Sequence, residues 1–516
     1  MNTQDMAVNA AWWYLDRHLS DDAGDRVCLV TEESELTYRQ LHARVCGTAG
    51  ALAEAGAGPG QRVVIVLRDG LDAVACALAA MRLGAVPVPV SPMLPVDDQR
   101  YVVADCRPHV VVVEDAEGEL ARELTARSPE VTVWSAGPGA GPVTSMVAAV
   151  AGATPLETVC ARDGADPALI QYTSGSTGRP KGVVHLHRGL LAFPQGFGRH
   201  LGITREDRVL STAKLPFGYG FGNSLLLPFS VGASAVLFAG RSEPHAVAAL
   251  LARTRPTLLF AVPTLYAALL SMPEAARRLD FSSVRLAVSA GEHLGPQLST
   301  RLTETFGLTV VNGLGSTECL HIFLATVPGV SPAGSTGVPV PGFAAEVCDD
   351  DGRALEAGGI GHLRVRGPSV ADRYWNRPDL TAETFRDGWV HTGDTMTYDP
   401  THGWAYLGRS DNILNVGGMK ILPTEVEDAI LAVPGVDSCA VVGVPDEDDV
   451  VRIVAHVVPE DGVGEALRGQ VLAALRRSLP PFKRPHIVRL ADALPTTSTG
   501  KTARFLIRQR EMERQR

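Results

Sequence analysis

The sequence predicts an α/β protein with a large multi-subdomain N-terminal domain of layered sheets, followed by a small α+β domain. Its 516 residues exceed what one hydrophobic core accommodates, so at least two domains are expected. Short valine-rich segments alternate with segments of helical periodicity, which is typical of α/β architecture. After about residue 330, strands separated by Asp-Gly and Gly-Gly turns replace this alternation.

The N-terminal elements follow from these patterns. Residues 62–90 predict a strand, a helix and a second strand, which is a βαβ unit with parallel strands. A further apolar strand is predicted over residues 109–114. The Gly-, Pro- and Ala-rich segment 135–154 is expected to form a surface loop. Residues 342–370 predict antiparallel hairpins.

The C-terminal part begins with a polar, glycine-bearing stretch and an amphipathic helix, and continues with two strand-like segments, CAVVGVP and RIVAHVVP. This change in pattern places the domain boundary near Asp411. The predicted domains therefore span residues 1–410 and 411–516.

Composition and charge narrow the class of protein. The formal net charge of −10 argues against nucleic acid as the main partner. The eight cysteines include no CxxC pair, which favours a reduced, cytoplasmic protein. Residues 215–240 carry no charge, but their glycines and prolines argue against a membrane span. The N-terminus lacks the basic start and apolar core of a signal peptide.

A polar segment, YTSGSTGRPKGVVH, occupies residues 172–185. Successive backbone N–H groups in such a Gly/Ser/Thr loop can surround an anion, and hydroxyls and a lysine add donors. The P-loop pattern requires Gly-Lys-Ser/Thr, whereas Lys181 follows Pro180 and precedes a glycine. The spacing therefore disfavours a P-loop and leaves a phosphate-binding loop or an ordinary surface loop.

The order of residues in this segment resembles the signature of the adenylate-forming superfamily. Four further segments resemble its motifs in the same order: GLGSTECLHIF (313–323), WVHTGD (389–394), YLGRSDN (406–412) and LPTTSTGK (494–501). The resemblance implies an enzyme that uses ATP, Mg²⁺ and coenzyme A. A carboxylate attacks the α-phosphate of ATP to form an acyl-adenylate, and a thiol then attacks the acyl carbon and releases AMP.

The resemblance assigns roles to individual residues. Lys501, Glu318 and Thr317 are expected to be catalytic, with Glu318 also the Mg²⁺ ligand. Asp411 is expected to be the hinge of a mobile C-terminal lid, and Gly417, Gly418 and Lys420 to line the tunnel for the thiol. The expected ATP-binding residues are Thr173, Ser174, Gly175, Ser176, Thr177, Gly178, Lys181, Gly291, Glu292, Asn312, Gly313, Leu314, Asp394, Tyr406 and Arg409.

Each residue also has an ordinary structural interpretation. Lys501 on its own would be a solvated lysine near the chain end, and Glu318 a surface glutamate. Asp394 could cap a turn, and Arg409 could form a structural ion pair. Lysine is scarce here, with five among 47 basic residues, and Lys501 follows a Ser/Thr-rich loop and a glycine. These features favour the catalytic interpretation of Lys501.

Segments 213–223 and 315–325 most resemble those of benzoate-CoA ligases and related aryl-CoA ligases. Gly218 and His293 depart from that subgroup, so hydroxy- and aminobenzoates stay open beside benzoate, and a long-chain fatty acid is not excluded. His321 has a second interpretation, a hydrogen-bonded core histidine. The expected acid pocket contains Phe217, Gly218, Tyr219, Ala290, Gly315, His321 and Ile322.

The acceptor thiol is expected to belong to coenzyme A, because the resemblance is to CoA ligases. The phosphopantetheine arm of a carrier protein is the alternative, since it presents the same thiol. A homodimer is also left open. Two other classes fit less well: motif spacing argues against a P-loop phosphotransferase, and the intact set of Lys501, Glu318 and Asp394 argues against a catalytically inactive nucleotide-binding protein.

Overall fold

The computed structural model describes residues 9–20, 22–174, 179–332, 335–410, 414–416, 419–446, 451–496 and 502–515. Layered sheets with helices packed on them confirm the predicted α/β fold class. The largest sheet has nine strands, parallel in its centre and antiparallel at both edges. In sheet order these strands are Val338–Pro339, Ile322–Ala325, Val310–Gly315, Leu286–Ala290, Leu258–Ala261, Arg208–Ser211, Ser234–Val236, Val27–Val30 and Glu35–Thr37.

A second, parallel sheet contains the predicted βαβ unit, which is confirmed. Strand Arg62–Val66 pairs in parallel with Val86–Pro89, and helix Leu71–Leu83 connects them. The helix ends at Gly84, whose φ of 79° is the left-handed conformation that glycine adopts readily. In sheet order the strands are Val86–Pro89, Arg62–Val66, Val110–Val113, Thr132–Ser135 and Thr144–Ser145.

The prediction of a loop over residues 135–154 is wrong. The segment contains strand Thr144–Ser145 and helix Met146–Gly152. Met146 is fully buried in the main hydrophobic core, and Ala149 and Val150 pack against that core. Packing of these apolar side chains against the core therefore stabilises a helix in a segment whose composition predicted a loop.

Two antiparallel sheets frame the predicted motifs. One consists of strands Arg373–Tyr374, Pro180–Leu186 and Pro167–Ser174. The other confirms the predicted hairpins of residues 342–370 and contains Ala344–Cys348, Ile360–Arg366, Trp389–Asp399, Phe385–Arg386 and Gly403–Arg409.

The C-terminal part has the predicted amphipathic helix, Pro423–Leu431, and strands Val436–Pro445 and Val451–Pro459, with Ile487–Leu490 beside them. Strands Leu414–Val416 and Met419–Ile421 pair separately. Two hydrophobic clusters have all their buried members between Leu414 and Ile507. Asp411 itself lies outside the described residues, so the boundary stays a prediction.

Helices cover the sheets. Helix Tyr38–Glu54 begins with a capping box in which Thr37 and Gln40 bond each other's backbone N–H groups. No helix in the described part of the chain is long and apolar enough to span a membrane. The other α-helices are Ala10–Tyr14, Val96–Cys106, Glu119–Arg127, His187–Phe193, Arg199–Leu201, Gly218–Phe221, Leu227–Phe229, Pro244–Thr254, Pro263–Leu270, Ala275–Arg278, Pro296–Phe306, Pro378–Thr384, Ala466–Ser478 and Arg504–Gln515; π-helices span Pro194–Gly198 and Gly222–Leu226, and 3₁₀ turns Asp16–Leu19, Asp22–Asp25, Thr317–Cys319 and Pro481–Lys483.

Asp207 is a buried carboxylate that directly precedes strand Arg208–Ser211 of the large sheet. We expect it to make a pH-dependent contribution to the free energy of unfolding. Asp207 accepts hydrogen bonds from Arg285 Nε at 2.8 Å and Thr257 Oγ1 at 2.6 Å. Burial acts to raise the pKa of Asp207, but these bonds outweigh it, so the pKa lies below its usual value. We expect Asp207→Asn to lower the free energy of unfolding by about 1–3 kcal/mol at pH 7, measured by urea denaturation.

The pH dependence of this effect has a definite sign. A lowered carboxyl pKa contributes stability above the unfolded-state pKa, and that contribution is lost as the pH falls through the folded-state pKa. The difference between wild type and Asp207→Asn should therefore shrink in acid. Asp97→Asn, which breaks an exposed pair with Arg100, is the control and should change stability by less than about 1 kcal/mol. A difference at Asp207 that is independent of pH contradicts this account.

Candidate active site

The described residues of the predicted phosphate-binding segment belong to two paired strands. Strands Pro167–Ser174 and Pro180–Leu186 are antiparallel, with Thr173 opposite Lys181 and Ser174 opposite Pro180. Gly175, Ser176, Thr177 and Gly178 lie outside the described residues, and of Ser174 only the backbone is described. The hairpin therefore places Thr173 and Lys181 side by side where the loop begins and ends.

Lys181 lies in a partly buried cluster of polar side chains. Its Nζ contacts Tyr374 Oη at 2.6 Å and Glu318 Oε1 at 3.2 Å, and Tyr374 Oη donates a hydrogen bond to Glu318 Oε1 at 2.5 Å. Three separate elements supply these groups: the hairpin, the 3₁₀ turn Thr317–Cys319, and the edge strand Arg373–Tyr374. The cluster joins the first and second predicted motifs through Tyr374, which is not among the residues predicted from sequence.

Glu318 is held as a carboxylate. Burial acts to raise the pKa of Glu318, but the charge of Lys181 and the hydrogen bond from Tyr374 outweigh it, so the pKa lies below its usual value. An ionised carboxylate supplies the hard oxygen that Mg²⁺ prefers, so the chemistry of Glu318 fits its predicted role as a Mg²⁺ ligand. Burial, partly offset by the charge of Glu318, lowers the pKa of the nearby His185 to about 4, so His185 is neutral near pH 7.

Two of the predicted ATP-binding residues, Asp394 and Arg409, are neighbours across two strands. Asp394 pairs with Arg409 in the antiparallel register of Trp389–Asp399 and Gly403–Arg409. Arg409 Nη1 donates to Thr392 O at 2.6 Å and lies 3.4 Å from Asp394 Oδ1. Burial raises the pKa of Asp394, and Arg409 partly offsets this. The arrangement presents a carboxylate and a guanidinium together.

The remaining predicted ATP-binding residues lie where two parallel strands end. Strands Leu286–Ala290 and Val310–Gly315 pair with Ser289 opposite Asn312 and Ala290 opposite Gly313. Their carboxyl ends bring Gly291 and Glu292 beside Gly313 and Leu314, and ligands of α/β proteins commonly bind at this edge. Thr264 Oγ1 donates to Glu292 Oε2 at 2.6 Å, and His293 lies beside the Tyr406 ring, with 6.1 Å between ring centroids.

His321 lies at the centre of the predicted acid pocket. The chain turns at Leu320, whose φ of 72° is unusual for a residue with a side chain. His321 is then buried, with Nε2 3.0 Å from Asn223 Oδ1. Burial lowers its pKa to about 3, so the ring is neutral.

Aromatic rings and glycines complete the wall around His321. The ring centroids of Phe193 and Tyr219 lie 4.9 Å and 5.3 Å from that of His321. A Cβ added at Gly315 would lie 2.5 Å from the His321 backbone oxygen. Asn223 and the rings hold His321 in the core, but its Nδ1 has no hydrogen-bond partner among the described residues, and its contact with the acid stays a prediction.

Gly222 is required for this packing. A Cβ added there would lie 2.4 Å from His321 Cδ2. We expect Gly222→Ala to displace the His321 ring and to lower kcat/KM for an aromatic acid by about 10-fold, with little change in KM for ATP. Acid-dependent pyrophosphate release measures this effect. Gly152→Ala is the control, because an added Cβ at Gly152 meets open space, and it should leave the activity unchanged. Gly202 is unsuitable as a control because its φ is positive.

Comparisons with known proteins identify the family of this chain. The family of the AMP-binding enzyme matches residues 15–375, and the AMP-binding enzyme C-terminal domain matches residues 425–501. The chain belongs to the AMP-binding enzyme family. This confirms the resemblance found in the sequence motifs.

Individual members of the AMP-binding enzyme family resemble nearly the whole chain. A benzoate-CoA ligase of Thauera aromatica is 37% identical over 506 residues, covering 97% of this chain and 95% of that protein. The solved anthranilate CoA ligase AuaEII, in complex with anthranoyl-AMP, has a TM-score of 0.92 and 31% identity, covering 99% of both chains. A benzoate CoA ligase from Burkholderia xenovorans LB400 has a TM-score of 0.88 and 33% identity, covering 97% of this chain and 99% of that one.

Several predicted residues cannot be placed. Lys501, Asp411, Gly417 and Gly418 lie outside the described residues, and of Lys420 only the backbone is described, in strand Met419–Ile421. Their roles as catalytic lysine, hinge and thiol tunnel therefore stay predictions.

Proposed function

We propose that this protein activates an aromatic carboxylic acid with ATP and transfers the acyl group to coenzyme A. A carboxylate oxygen of the acid bonds to the α-phosphorus of ATP, the bond to the β-phosphate oxygen breaks, and pyrophosphate leaves. The thiol sulfur of coenzyme A then bonds to the acyl carbon, AMP leaves, and the thiol proton passes to solvent. The products are an aryl-CoA thioester, AMP and pyrophosphate.

One observation carries this proposal. The similarity to a benzoate-CoA ligase extends over 97% of the chain at 37% identity. The likeness to a solved anthranilate CoA ligase, at a TM-score of 0.92, supports the same reaction class. Both relatives act on benzoates, so a ring acid is favoured over a fatty acid.

The polar cluster suits the first half-reaction. A carboxylate must approach the anionic phosphates of ATP, and fixed positive charge reduces their repulsion. Lys181 lies at the loop that we propose to bind the phosphates, and Glu318 holds it in place through the 3.2 Å ion pair. Glu318 would also hold Mg²⁺, whose positive charge, when the ion is bound, offsets the negative charge of the phosphate oxygens. We propose that Lys501 adds the charge that bridges the acid and the α-phosphate.

The nucleoside would lie between the large sheet and the Asp394–Arg409 pair. A carboxylate accepts hydrogen bonds from both hydroxyls of a ribose, and Arg409 lies 3.4 Å from Asp394 Oδ1 to orient it. The backbone at the ends of strands Leu286–Ala290 and Val310–Gly315 would contact the base. These placements account for the predicted ATP-binding residues that the structure describes.

Coenzyme A is the proposed acceptor because the relatives are CoA ligases. A carrier protein remains the second candidate on the same thiol chemistry, and a homodimer remains a prediction. The decisive test is pyrophosphate release with ATP and Mg²⁺ across benzoates, cinnamates and fatty acids, with and without coenzyme A. Turnover of benzoates with CoA supports the proposal, whereas turnover of aliphatic acids alone contradicts the pocket assignment.

A further inference from the structure

A buried amide lies beside the acid pocket without hydrogen bonds. The Gln171 side chain is fully buried, and neither its Oε1 nor its Nε2 has a hydrogen-bond partner within the described part of the chain. Buried amides in native proteins are nearly always bonded, and the exceptions call for an explanation. At the edge of a binding pocket, a partner that arrives with the ligand is such an explanation.

Gln171 belongs to the pocket face of its strand. Its neighbours Ile170 and Tyr172 pack into a hydrophobic cluster on the opposite face of strand Pro167–Ser174. Leu169, on the same face as Gln171, belongs to the main core together with Ile322 of the predicted pocket. The alternation of side chains therefore places the amide on the face of the strand that packs against the main core, the core that also contains Ile322.

Two contacts locate the amide more closely. A Cβ added at Gly218 would lie 3.3 Å from Gln171 Oε1 and 3.8 Å from Thr317 Oγ1. Gly218 belongs to the predicted acid pocket, and Thr317 is one of the residues expected to be catalytic. The amide therefore lies near both a residue of the proposed acid pocket and a residue of the proposed catalytic centre, where the carboxylate end of a bound acid would lie.

A second polar side chain lies on the same face of this hairpin. His185 shares the face of the hairpin, since it pairs with Leu169 across the strands. Its Nε2 is also buried without a hydrogen-bond partner among the described residues. Two unsatisfied polar side chains on one face form a polar lining that an unsubstituted benzene ring does not complement.

We infer that Gln171 is a specificity-determining residue, and that the preferred acid carries a hydroxyl or amino group ortho to its carboxylate. This inference rests on the proposed function. An amide presents one acceptor and two donor hydrogens, and a hydroxyl or amino group can both donate to Oε1 and accept from Nε2. A site arranged to bond such a group discriminates against an acid that lacks it, because its buried polar atoms then stay unpaired.

The test compares ring acids of similar size. We would measure kcat/KM of acid-dependent pyrophosphate release for 2-amino-, 2-hydroxy- and 2-methylbenzoate and for the 4-substituted isomers, with wild type and Gln171→Leu. Wild type should favour the better of the two polar ortho acids over 2-methylbenzoate by about 10- to 100-fold. Gln171→Leu should lose this preference, largely by accepting 2-methylbenzoate better. Gln171→Met serves if the leucine variant does not fold.

A matched control lies next to Gln171 in the strand. Tyr172 faces the other way and donates a hydrogen bond to Asp105 Oδ2 at 2.5 Å, so Tyr172→Phe should keep the wild-type preference. Equal wild-type use of polar and methyl ortho acids, a stronger preference for the 4-substituted acids, or an equal loss for all acids in Gln171→Leu overturns the inference and leaves the proposed function standing. Failure of every aromatic acid to release pyrophosphate overturns both.

Discussion

Lys501→Ala is expected to reduce acid-dependent ATP–pyrophosphate exchange by about 1,000-fold, while ATP binding measured by calorimetry stays nearly unchanged. The reason is electrostatic: the lysine is proposed to neutralise charge that develops where the acid meets the α-phosphate, and removing such a group typically slows catalysis by about 100- to 1,000-fold. Ground-state contacts to the nucleotide are proposed to come from other residues, among them Asp394 and Arg409, so the dissociation constant for ATP should change little.

Lys483 provides the control for this substitution. It is another of the five lysines, lies in the same C-terminal part, and pairs with Glu425 at 2.6 Å. Lys483→Ala should leave pyrophosphate exchange close to the wild-type rate. Full exchange activity in Lys501→Ala, or an equal loss in both variants, would remove the proposed role of Lys501.

Glu318→Gln has the second largest expected effect. The substitution keeps the shape of the side chain but removes the charge that pairs with Lys181 at 3.2 Å and that is proposed to hold Mg²⁺. We expect the rate of pyrophosphate release to fall by about 100-fold or more, and the Mg²⁺ concentration needed for half-maximal rate to rise. A magnesium titration of the initial rate measures both.

Tyr374→Phe tests the hydrogen bond to Glu318 separately from the charge of the Glu318 carboxylate. It removes the hydroxyl that donates to Glu318 and contacts Lys181, and it leaves the ion pair in place. We expect a smaller loss of pyrophosphate-release rate, of about 10-fold, because Tyr374 bonds to the proposed Mg²⁺ ligand and does not itself bind the ion. If Glu318→Gln keeps wild-type activity and magnesium dependence, Glu318 is a structural partner of Lys181 only.

The fold was largely predictable because its signals are local. The valine-rich strands around helix Leu71–Leu83 follow from periodicity, and the structure contains them within a few residues of their predicted positions. The helix Met146–Gly152 could not be predicted, because its stability comes from packing against the distant main core. Local composition pointed to a loop, and tertiary burial decided otherwise.

The contacts within the site were less predictable than the residues themselves. Lys181 was expected to bind phosphate. Its contact with Tyr374 depends on the pairing of two strands whose residues are nearly 200 positions apart in sequence. Asn223 and His321 are 98 positions apart and meet only in the fold. Gln171 gives no sequence signal at all, because its interest comes from being buried without a partner.

The central claim is that this chain makes an aryl-CoA thioester through an adenylate. The most direct measurement is mass spectrometry of the products from ATP, Mg²⁺, an aromatic acid and coenzyme A, with quantification of each nucleotide. The account predicts one aryl-CoA thioester and one AMP for each pyrophosphate released, and an aryl-adenylate when CoA is omitted. Formation of ADP and phosphate, or an adenylate that persists unchanged when CoA is present, contradicts it.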